Sequence, residues 1–583
     1  MLHTLTRSLR ENKGPALVTV LLSALEVVFE IVIPLFMSNL IDFGIEGGSM
    51  AAVWKFGAFL LLLAAFQLAT GVLAARIAAR ASVGFAANLR EDMYNNVQTF
   101  AFSNIDKFST ASIVTRLTTD TTNVQNAFQM LMRMAIRAPV MLIFSMIVSF
   151  RISRDISMTF LIILPILALA LFFIIRSVFP VFTRVFRTYD ELNNVVQENV
   201  RGIRVVKSFN QEQHEIGKFG AISERIYKDF SKGERLITLN APLMQFCIYT
   251  CMIVISWLGA KAIIASGNDP ALGLTTGNLT ALITYTMQIL SSLMMLSMVF
   301  AMLTISLSSA RRIAEVLEER SDIPQPEQPV MTVRDGAVDF DHVSFVYASK
   351  ADKKVLDDID LHIRSGETIG IIGGTGASKS SLVQLIPRLY DVTGGKLTLG
   401  GVDVRDYDLD TLRGAVAMVL QKNELFSGTI KENLRWGNEN ATDEELQHAC
   451  VLACADEFIS AMPDGYDTHI EQGGTNVSGG QKQRLCIARA LLKKPKVLIL
   501  DDSTSAVDTR TDAQIQQALS TYIPDTTKII IAQRISSVQN ADRIVVLDDG
   551  RINAVGSHDE LLRSCEIYRE VYESQQKGGE DDA

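Results

Sequence analysis

The sequence has too little positive charge to favour a nucleic-acid partner. Its 55 Lys and Arg are outnumbered by 64 Asp and Glu, which leaves a formal net charge of −9 at pH 7, whereas a polyphosphate backbone calls for a basic surface. Cysteine is also scarce, with six residues in 583, and we interpret these as unpaired thiols facing a reducing compartment. Cys450 and Cys454 lie one helical turn apart, but without a second pair nearby a metal site there is disfavoured.

Charged side chains are missing from long stretches of the first 310 residues and are frequent afterwards. A chain of this length is expected to hold two or three domains. A helix crosses a bilayer with about 20 apolar residues. Six segments meet or approach that length: Pro15–Ile41, Phe56–Ala75, Ala138–Phe150 extended by Phe128–Arg137, Ile156–Ile175, Leu236–Ala260 and Pro270–Ala310. The sequence therefore predicts six membrane spans, which excludes a soluble protein.

Loop charge predicts the orientation of these spans, because Lys and Arg stay on the cytoplasmic side. The segments Ile41–Trp54 and Ser266–Asn278 contain neither residue and should lie outside, which places both termini inside. Arg151 and Arg154 depart from this rule, because they belong to a third outer turn. The amphipathic segment 1–14 lacks a small-residue cleavage site, so we expect an interfacial elbow helix and not a signal peptide.

Two inner segments of about sixty residues, Arg76–Arg137 and Arg176–Arg235, are compatible with long helices and poor in proline. A helical hairpin of that size reaches on the order of 40 Å from the membrane. We expect these arms to transmit movement through their tips, near Asn104–Ile113 and Ser208–His214. Two rigid stalks are the alternative.

Glu26 and Glu30 lie one helical turn apart within the first predicted span. Carboxylates inside a membrane are costly and usually face a cavity or a partner. They could attract cationic substrates as a substrate site. They could instead be neutral, or paired with an arginine on another helix, and the sequence leaves both interpretations open.

The pattern changes after three prolines within Pro324–Pro329, which mark a linker. Strand-like and helix-like segments then alternate, as in an α/β domain. Within it, Ile369–Leu382 predicts a strand, a glycine-rich turn and a helix start. Gly373, Gly376 and Lys379 fit the spacing of a P-loop, whose backbone N–H groups and lysine hold phosphates.

One serine of this loop, Ser380, fits the P-loop pattern, and another, Ser378, departs from it. Ser380 offers its hydroxyl to Mg²⁺, as the P-loop pattern requires. Ser378 stands where the pattern places a glycine before the lysine. A side chain there would crowd the phosphates or demand an unusual backbone angle, so binding should survive while fast turnover is less certain.

The sequence SGGQ, Ser478–Gln481, follows about a hundred residues later and precedes an apolar strand that ends in Asp501 and Asp502. A P-loop, this signature and the aspartate strand are very specific in this order and spacing. The chain resembles a half-transporter of the ABC exporter superfamily over nearly its whole length, and in particular the degenerate subunit of a bacterial heterodimeric exporter.

The resemblance implies two domains joined by a linker. Residues 1–318 are expected to form an α-helical transmembrane domain with an elbow helix, six spans and long cytoplasmic helical extensions. Residues 319–335 form the linker, and residues 336–583 an α/β P-loop nucleotide-binding domain. The protein is expected in the cell membrane, with the nucleotide-binding domain in the cytoplasm.

The resemblance also assigns site residues for ATP and Mg²⁺. Tyr347 is expected to stack on adenine, and the phosphates are expected on the P-loop residues Gly373, Gly374, Thr375, Gly376, Ala377, Ser378, Lys379, Ser380 and Ser381. Mg²⁺ is expected at Ser380, Gln421 and Asp501. The signature residues Ser478, Gly479, Gly480 and Gln481 are expected to grip nucleotide bound to the other subunit, and Asp508 ends a loop that crosses the dimer interface.

Two catalytic positions depart from the family pattern. The general base, a glutamate in the family, is Asp502, whose carboxylate is nearer the backbone by on the order of 1.5 Å; a misplacement of about 1 Å can cost about a hundredfold in rate. The switch histidine is Gln533, which can hydrogen-bond a γ-phosphate but cannot become a cation or shuttle a proton. The alternative is that Asp502 and Gln533 support ATP hydrolysis adequately.

We therefore expect this chain's own site to bind ATP and hydrolyse it slowly. Its signature would complete the site of a partner half-transporter with Glu and His at these positions. The expected function is ATP-driven export of amphipathic drugs or lipids. Import, for instance of metal chelates, and an ATP-gated regulator or channel-like protein are the alternatives.

Overall fold

The computed structural model describes residues 1–269, 273–347 and 354–580. It divides into two compact units, each described by itself below. The membrane unit comprises Met1–Gln98 and Thr110–Glu319, and the α/β unit comprises Thr99–Ser109 and Arg320–Ala583. The first residues of the predicted segment Pro270–Ala310, 270–272, lie outside the described residues.

Helices account for nearly all of the described membrane unit. In chain order the helices up to the end of this unit are α1 (Leu2–Arg7), α2 (Lys13–Asn39), α3 (Met50–Gln98), α4 (Phe102–Lys107, which belongs to the α/β unit), α5 (Thr110–Thr115), α6 (Thr121–Met130), α7 (Ile136–Ile152), α8 (Arg154–Arg201), α9 (Ile203–Ser208), α10 (Glu212–Thr238), α11 (Asn240–Ser266) and α12 (Thr276–Glu318). A 3₁₀ turn at Arg10–Asn12 precedes α2, and wide π-helical turns at Leu40–Glu46, Arg116–Asp120 and Leu131–Ala135 continue α2, α5 and α6.

Six helical segments of the described chain are long and apolar enough to cross a bilayer, which confirms the predicted number. They are Arg10–Glu46, Met50–Gln98, Thr110–Ile152, Arg154–Arg201, Glu212–Ser266 and Thr276–Phe300. Helix α3 contains 49 residues without a break, roughly 70 Å at about 1.5 Å per residue. This is more than twice the hydrocarbon thickness of about 30 Å, so the long extensions predicted from the sequence continue directly from the spans.

The connections between some spans are very short. Only Ser153, with extended backbone (φ −152°, ψ 114°), separates α7 from α8, and Gly47–Ser49 separates the second span from the π-helical end of the first. In the second arm, α9 and the turn 209–211 lie between α8 and α10, overlapping the predicted tip Ser208–His214. In the first arm, α4 begins two residues before the predicted tip Asn104–Ile113.

Close helix packing holds the membrane unit together. Leu167 of α8, Cys251 of α11 and Leu282 of α12 are fully buried in one apolar cluster. Helix α12 also approaches α2 closely at Gly277, where a Cβ atom would lie only 2.3 Å from the Ser38 carbonyl oxygen. Small residues at such crossings are typical of membrane helices, because association there depends on backbone approach and van der Waals packing.

The α/β unit contains twelve strands and nine further helices among its described residues. The strands are β1 (Val338–Phe345), β2 (Leu356–Ile363), β3 (Thr368–Gly373), β4 (Gly394–Leu399), β5 (Val402–Asp403), β6 (Val416–Val419), β7 (Gly428–Thr429), β8 (His469–Ile470), β9 (Val497–Asp501), β10 (Thr527–Ile531), β11 (Arg543–Asp548) and β12 (Arg551–Gly556). The helices are α13 (Lys379–Gln384), α14 (Leu409–Ala415), α15 (Ile430–Arg435), α16 (Asp443–Leu452), α17 (Asp456–Ser460), α18 (Gly479–Leu492), α19 (Thr509–Tyr522), α20 (His558–Ser564) and α21 (Glu566–Glu580).

The order of the strands determines where the site forms. The central sheet runs β12-β11-β3-β10-β9-β6, and all its pairs are parallel except β11 with β12. Every residue of β9 is buried, as a continuous apolar run predicts for a central parallel strand. In register, Ile531 lies opposite both Ile371 and Asp501. Since ligands bind beyond the carboxyl ends of such strands, the segments that follow β3, β10, β9 and β6 meet at one edge. An antiparallel sheet, β2-β1-β4-β5, forms a second layer of the unit.

Candidate functional site

The glycine-rich turn connects β3 to α13 through left-handed backbone. Gly376 has φ +87°, and Ser378 has φ +67° and ψ 22°. A non-glycine residue in this region costs roughly 1–2 kcal/mol. The unusual backbone angle anticipated at Ser378 is therefore present. A Cβ atom at Gly374 or Gly376 would meet nothing within 4 Å, so the mouth of the loop is open.

Lys379 lies across this loop. Its ammonium donates to the carbonyl oxygens of Gly373 at 2.8 Å and Gly374 at 2.9 Å. Burial lowers the pKa of Lys379, while the carboxylates of Asp502 and Asp501 oppose that shift. The ammonium is thus close to the loop that would hold phosphates and to both acids of the site.

Ser380 and Asp501 are joined by a hydrogen bond. The Ser380 hydroxyl donates to Asp501 Oδ1 at 3.0 Å. Burial at the end of β9 raises the pKa of Asp501, and the Ser380 hydrogen bond acts in the opposite direction. A hydroxyl and a carboxylate are hard oxygen ligands of the kind that Mg²⁺ prefers, so this donor set fits the expected cation.

The residues at the two catalytic positions that depart from the expected pattern contact each other directly. Gln533 Nε2 donates to Asp502 Oδ2 at 3.1 Å, and Gln421 Nε2 donates to the same oxygen at 3.3 Å. Asp502 itself has φ +48°. Burial raises its pKa, whereas the hydrogen bond from Gln421 and the charge of Lys379 lower it. The structure therefore brings together every acid and amide that the sequence placed on the P-loop side.

Tyr347 follows β1 and lies beside the P-loop helix. Its hydroxyl is 2.8 Å from Ser381 Oγ and donates to Gln384 Oε1 at 3.4 Å. The edges of Phe345 and Tyr390 support the ring, with centroids 4.8 Å and 5.1 Å away. The side chain is nevertheless 46% exposed, so a ring face is accessible next to the loop.

The signature occupies a different surface of the same unit. Ser478 caps α18: its Oγ accepts from Gln481 N at 3.3 Å, and Gln481 Oε1 accepts from Ser478 N at 2.9 Å. Ser478, Gly479, Gly480, Arg484, Ala506, Val507 and Asp508 line an open pocket of about 320 Å³. Among the described residues, this lining includes none of the P-loop.

Asp508 also has a purely local role. Its Oδ1 accepts from Thr511 N at 2.9 Å and thereby caps α19. These backbone hydrogen bonds lower the pKa of Asp508. The residue is thus fixed as an anion at the rim of the signature pocket.

Glu26 and Glu30 lie far from this chemistry in sequence and have their own partner. Arg137 of α7 donates to Glu26 Oε1 at 2.7 Å and to Glu30 Oε2 at 2.6 Å. Of the two interpretations left open, pairing with an arginine on another helix is the one observed. The sequence did not identify Arg137 as this partner, because an arginine at the edge of the third predicted span does not indicate which carboxylate it contacts.

The cysteines show no feature of a metal site. All six are free, and burial raises the pKa of Cys450 to about 12, which disfavours the thiolate that binds metals. Within the described residues, no group of three or more His, Cys, Asp or Glu side chains is arranged to hold a metal ion.

Six spans and a P-loop α/β unit in one chain define a nucleotide-binding integral membrane protein. Two family models match the sequence: the ABC transporter transmembrane region over residues 16–294 and ABC transporter over residues 356–505. YfiB, an ABC transporter ATP-binding protein of Bacillus subtilis, is 36% identical over 558 residues, 96% of each chain. The chain belongs to the ABC transporter family.

Other comparisons agree with this assignment. An ABC transporter ATP-binding protein of Mycobacterium tuberculosis is 33% identical over 580 residues, which cover 99% of this chain and 98% of that one. The structure of a bacterial Atm1-family ABC exporter with ATP bound aligns with a TM-score of 0.82 and 24% identity, covering 97% of this chain and 99% of the other. The fold is therefore that of an ABC exporter, a six-span membrane region fused to one ATP-binding domain.

Proposed function

We propose that this chain is one subunit of an ATP-driven heterodimeric exporter, with an ATP site that binds nucleotide and hydrolyses it slowly. The observation that carries the proposal is the environment of Asp502. The acid is one methylene shorter than the family's base, and one of its oxygens already accepts two amide hydrogen bonds, from Gln421 and Gln533.

Two effects on Asp502 oppose each other, and their sizes decide the outcome. Its raised pKa would by itself make the carboxylate a stronger base. A general base must, however, reach the attacking water within hydrogen-bonding distance, and a retreat on the order of 1.5 Å can cost about a hundredfold or more. The lost reach is the larger effect, so hydrolysis at this site is slow.

Gln533 contributes binding without proton transfer. Its amide can donate to a γ-phosphate, as it now donates to Asp502, but an amide does not titrate near neutral pH. Both substitutions therefore preserve hydrogen bonds to nucleotide and remove functions needed for turnover.

The remaining residues fit ATP and Mg²⁺. Tyr347 offers a ring face for adenine, and the loop from Gly373 to Ser381 offers backbone N–H groups and the Lys379 ammonium for phosphates. Ser380, Asp501 and Gln421 would hold Mg²⁺, which neutralises phosphate charge when bound.

Uncovered surfaces support a second half-transporter as partner. The signature pocket is lined without P-loop residues in the described chain, which supports a site completed by the P-loop of another subunit. At the tip of the second arm, Val205 and Phe209 are 60% and 70% exposed, and exposed apolar side chains of this kind can contribute to an interaction surface. Because two copies of this chain would hold no fast site, we propose a partner with Glu and His at the catalytic positions.

Loop charge supports placing both termini and the nucleotide-binding domain, residues 336–583, in the cytoplasm. The transmembrane domain would span residues 1–318 of a cell-membrane protein. The exporter fold supports export, and we propose amphipathic drugs or lipids as substrates. Inside-out vesicles containing the chain and its co-purifying partner provide the test. ATP-dependent uptake of a dye such as Hoechst 33342 indicates export, whereas ATP-dependent loss of preloaded dye or an ATP-gated conductance would replace this proposal.

For Glu26 and Glu30 we propose a structural role. Replacing both by glutamine removes the two carboxylates to which Arg137 donates, and removing the partners of a partly buried charge is destabilising. Transport of cationic and neutral dyes should fall to the same extent, together with the amount of folded protein. A selective loss of cationic-dye transport would instead assign the pair to substrate binding.

A further inference from the structure

One side chain of the C-terminal helix holds the backbone of the switch loop, residues 532–537. Gln575 Nε2 donates to the carbonyl oxygen of Gln533 at 2.7 Å. The same amide accepts, through Oε1, from the backbone N–H of Ile535 at 2.9 Å. Gln575 therefore uses both ends of its side chain on either side of Arg534.

The helix that carries Gln575 is firmly docked. Tyr568 of α21 is fully buried, and its hydroxyl lies 2.7 Å from His558 Nδ1. Tyr568 belongs to the same apolar cluster as Ile535 and Val538, which follow the switch position. The amide of Gln575 thus extends from a helix that is packed against the apolar core of the α/β unit.

The other contacts of the loop leave this role to Gln575. Ser537 donates to Asp512 Oδ2 at 2.6 Å, which fixes the end of the loop. At its beginning, the side chain of Gln533 reaches Asp502 at 3.1 Å, and Arg534 donates to the Val507 carbonyl oxygen at a long 3.5 Å. The backbone at Gln533 is held more closely by Gln575 than by either of these side-chain contacts.

We infer that Gln575 is a positioning residue that fixes Gln533 for contact with the γ-phosphate of ATP. The inference rests on the proposed function, in which this site binds ATP. It goes further, because it makes the C-terminal helix part of the nucleotide site. Only ATP carries a γ-phosphate, so Gln575 should affect binding of ATP and leave binding of ADP unchanged.

The test compares Gln575→Ala with Gln576→Ala in the purified full-length chain. Gln576 is the matched control, because its Nε2 donates to Tyr572 Oη and not to the switch loop. Equilibrium titration with Mg-ATP and Mg-ADP should show a roughly threefold to tenfold weaker ATP affinity in Gln575→Ala, the effect of a lost hydrogen bond or two, with ADP affinity unchanged. Gln576→Ala should change neither.

A second variant separates the two hydrogen bonds. Gln575→Glu retains an acceptor for Ile535 N but cannot donate to the Gln533 carbonyl oxygen, so it should also weaken ATP selectively. Equal losses for ATP and ADP, or no loss for either, would overturn the inference, since a general structural defect does not distinguish the two nucleotides.

Hydrogen exchange separates this inference from the proposed function. Amides of residues 532–537 should exchange faster in nucleotide-free Gln575→Ala than in the parent chain, whereas Gln576→Ala should leave them unchanged. If the parent chain binds no ATP, the proposed function fails, but this measurement still shows whether Gln575 holds the switch loop. Unchanged exchange in Gln575→Ala would show that Gln575 does not hold the switch loop, even if the chain binds ATP well.

Discussion

The P-loop surface and the signature surface of the α/β unit present very different residues to a nucleotide. Three residues of the P-loop surface differ from those that the resemblance leads us to expect, Ser378, Asp502 and Gln533, and the last two are hydrogen-bonded to each other. The signature surface retains Ser478–Gln481 with a complete helix cap. The strand ends and helix starts are intact on both surfaces. The difference teaches that the side chains presented to a nucleotide can change at one surface without any change in the fold that presents them.

The largest expected effect lies on the signature surface. At Gly480 a Cβ atom would be 2.8 Å from the Ala506 carbonyl oxygen, so Gly480→Asp should displace the signature and bring a negative charge towards phosphate. The steady-state ATPase rate of the complex with the partner should fall about a hundredfold. The control is Gly414→Asp, because a Cβ atom there meets nothing within 4 Å. Near-normal rates in Gly480→Asp would assign the working site elsewhere.

Placing Glu and His at the catalytic positions of the P-loop surface should speed its hydrolysis and so reduce the difference between the two surfaces. The test uses the chain purified alone and combines Asp502→Glu with Gln533→His. The first substitution lengthens the general base by one methylene, and the second places a side chain that can be protonated at the switch position. We expect the ATPase rate to rise by at least about tenfold, because general base catalysis contributes about 10²–10⁴. Each single variant should gain less. Fast hydrolysis by the unaltered chain, or no gain in the double variant, would show that Asp502 and Gln533 are not limiting.

Ser378 offers a smaller test that concerns stability. Ser378→Gly relieves a left-handed strain of roughly 1–2 kcal/mol, partly offset by about 0.5–1 kcal/mol of glycine entropy. The midpoint of thermal unfolding of the solubilised chain should therefore rise slightly. Ala513→Gly, at an exposed position within α19, should lower it, because glycine in a helix interior is less favourable than alanine by about 0.5–1 kcal/mol. A fall in both variants would show that Ser378 makes compensating interactions.

The smallest expected effect is on the P-loop surface of the assembled pair. If the partner's P-loop site carries the turnover, Asp502→Ala in this chain should change the ATPase rate of the complex by less than about threefold. A decrease beyond about tenfold would contradict the division of labour between the two surfaces, because this acid would then be catalytic.

The sequence predicted those parts of the molecule that depend on local patterns. Uncharged runs indicated six spans, because the bilayer requires about 20 apolar residues from each helix. The position of Ser378 before the lysine indicated a strained turn, and the resemblance to ABC exporters placed Asp501, Asp502 and Gln533 in one site. The spans and the strained turn could be predicted because each depends on residues that are neighbours in the chain.

Other parts depend on contacts between distant residues and left no such pattern. Arg137 is more than a hundred positions from Glu26, and nothing in the spacing of either residue couples them. Gln575 reaches Gln533 across about forty positions through a single exposed amide. Isolated polar side chains on a helix surface have no periodicity, so only the folded structure could pair them.

The single residue between α7 and α8 limits how the spans can move. One residue spans at most about 3.3–3.6 Å, so these ends of the third and fourth spans cannot separate during a transport cycle. The three residues Gly47–Ser49 restrain the first two spans in the same way at their linked ends. At these linked ends, any opening has to occur between the tethered pairs and not within them, so each pair moves there as one unit.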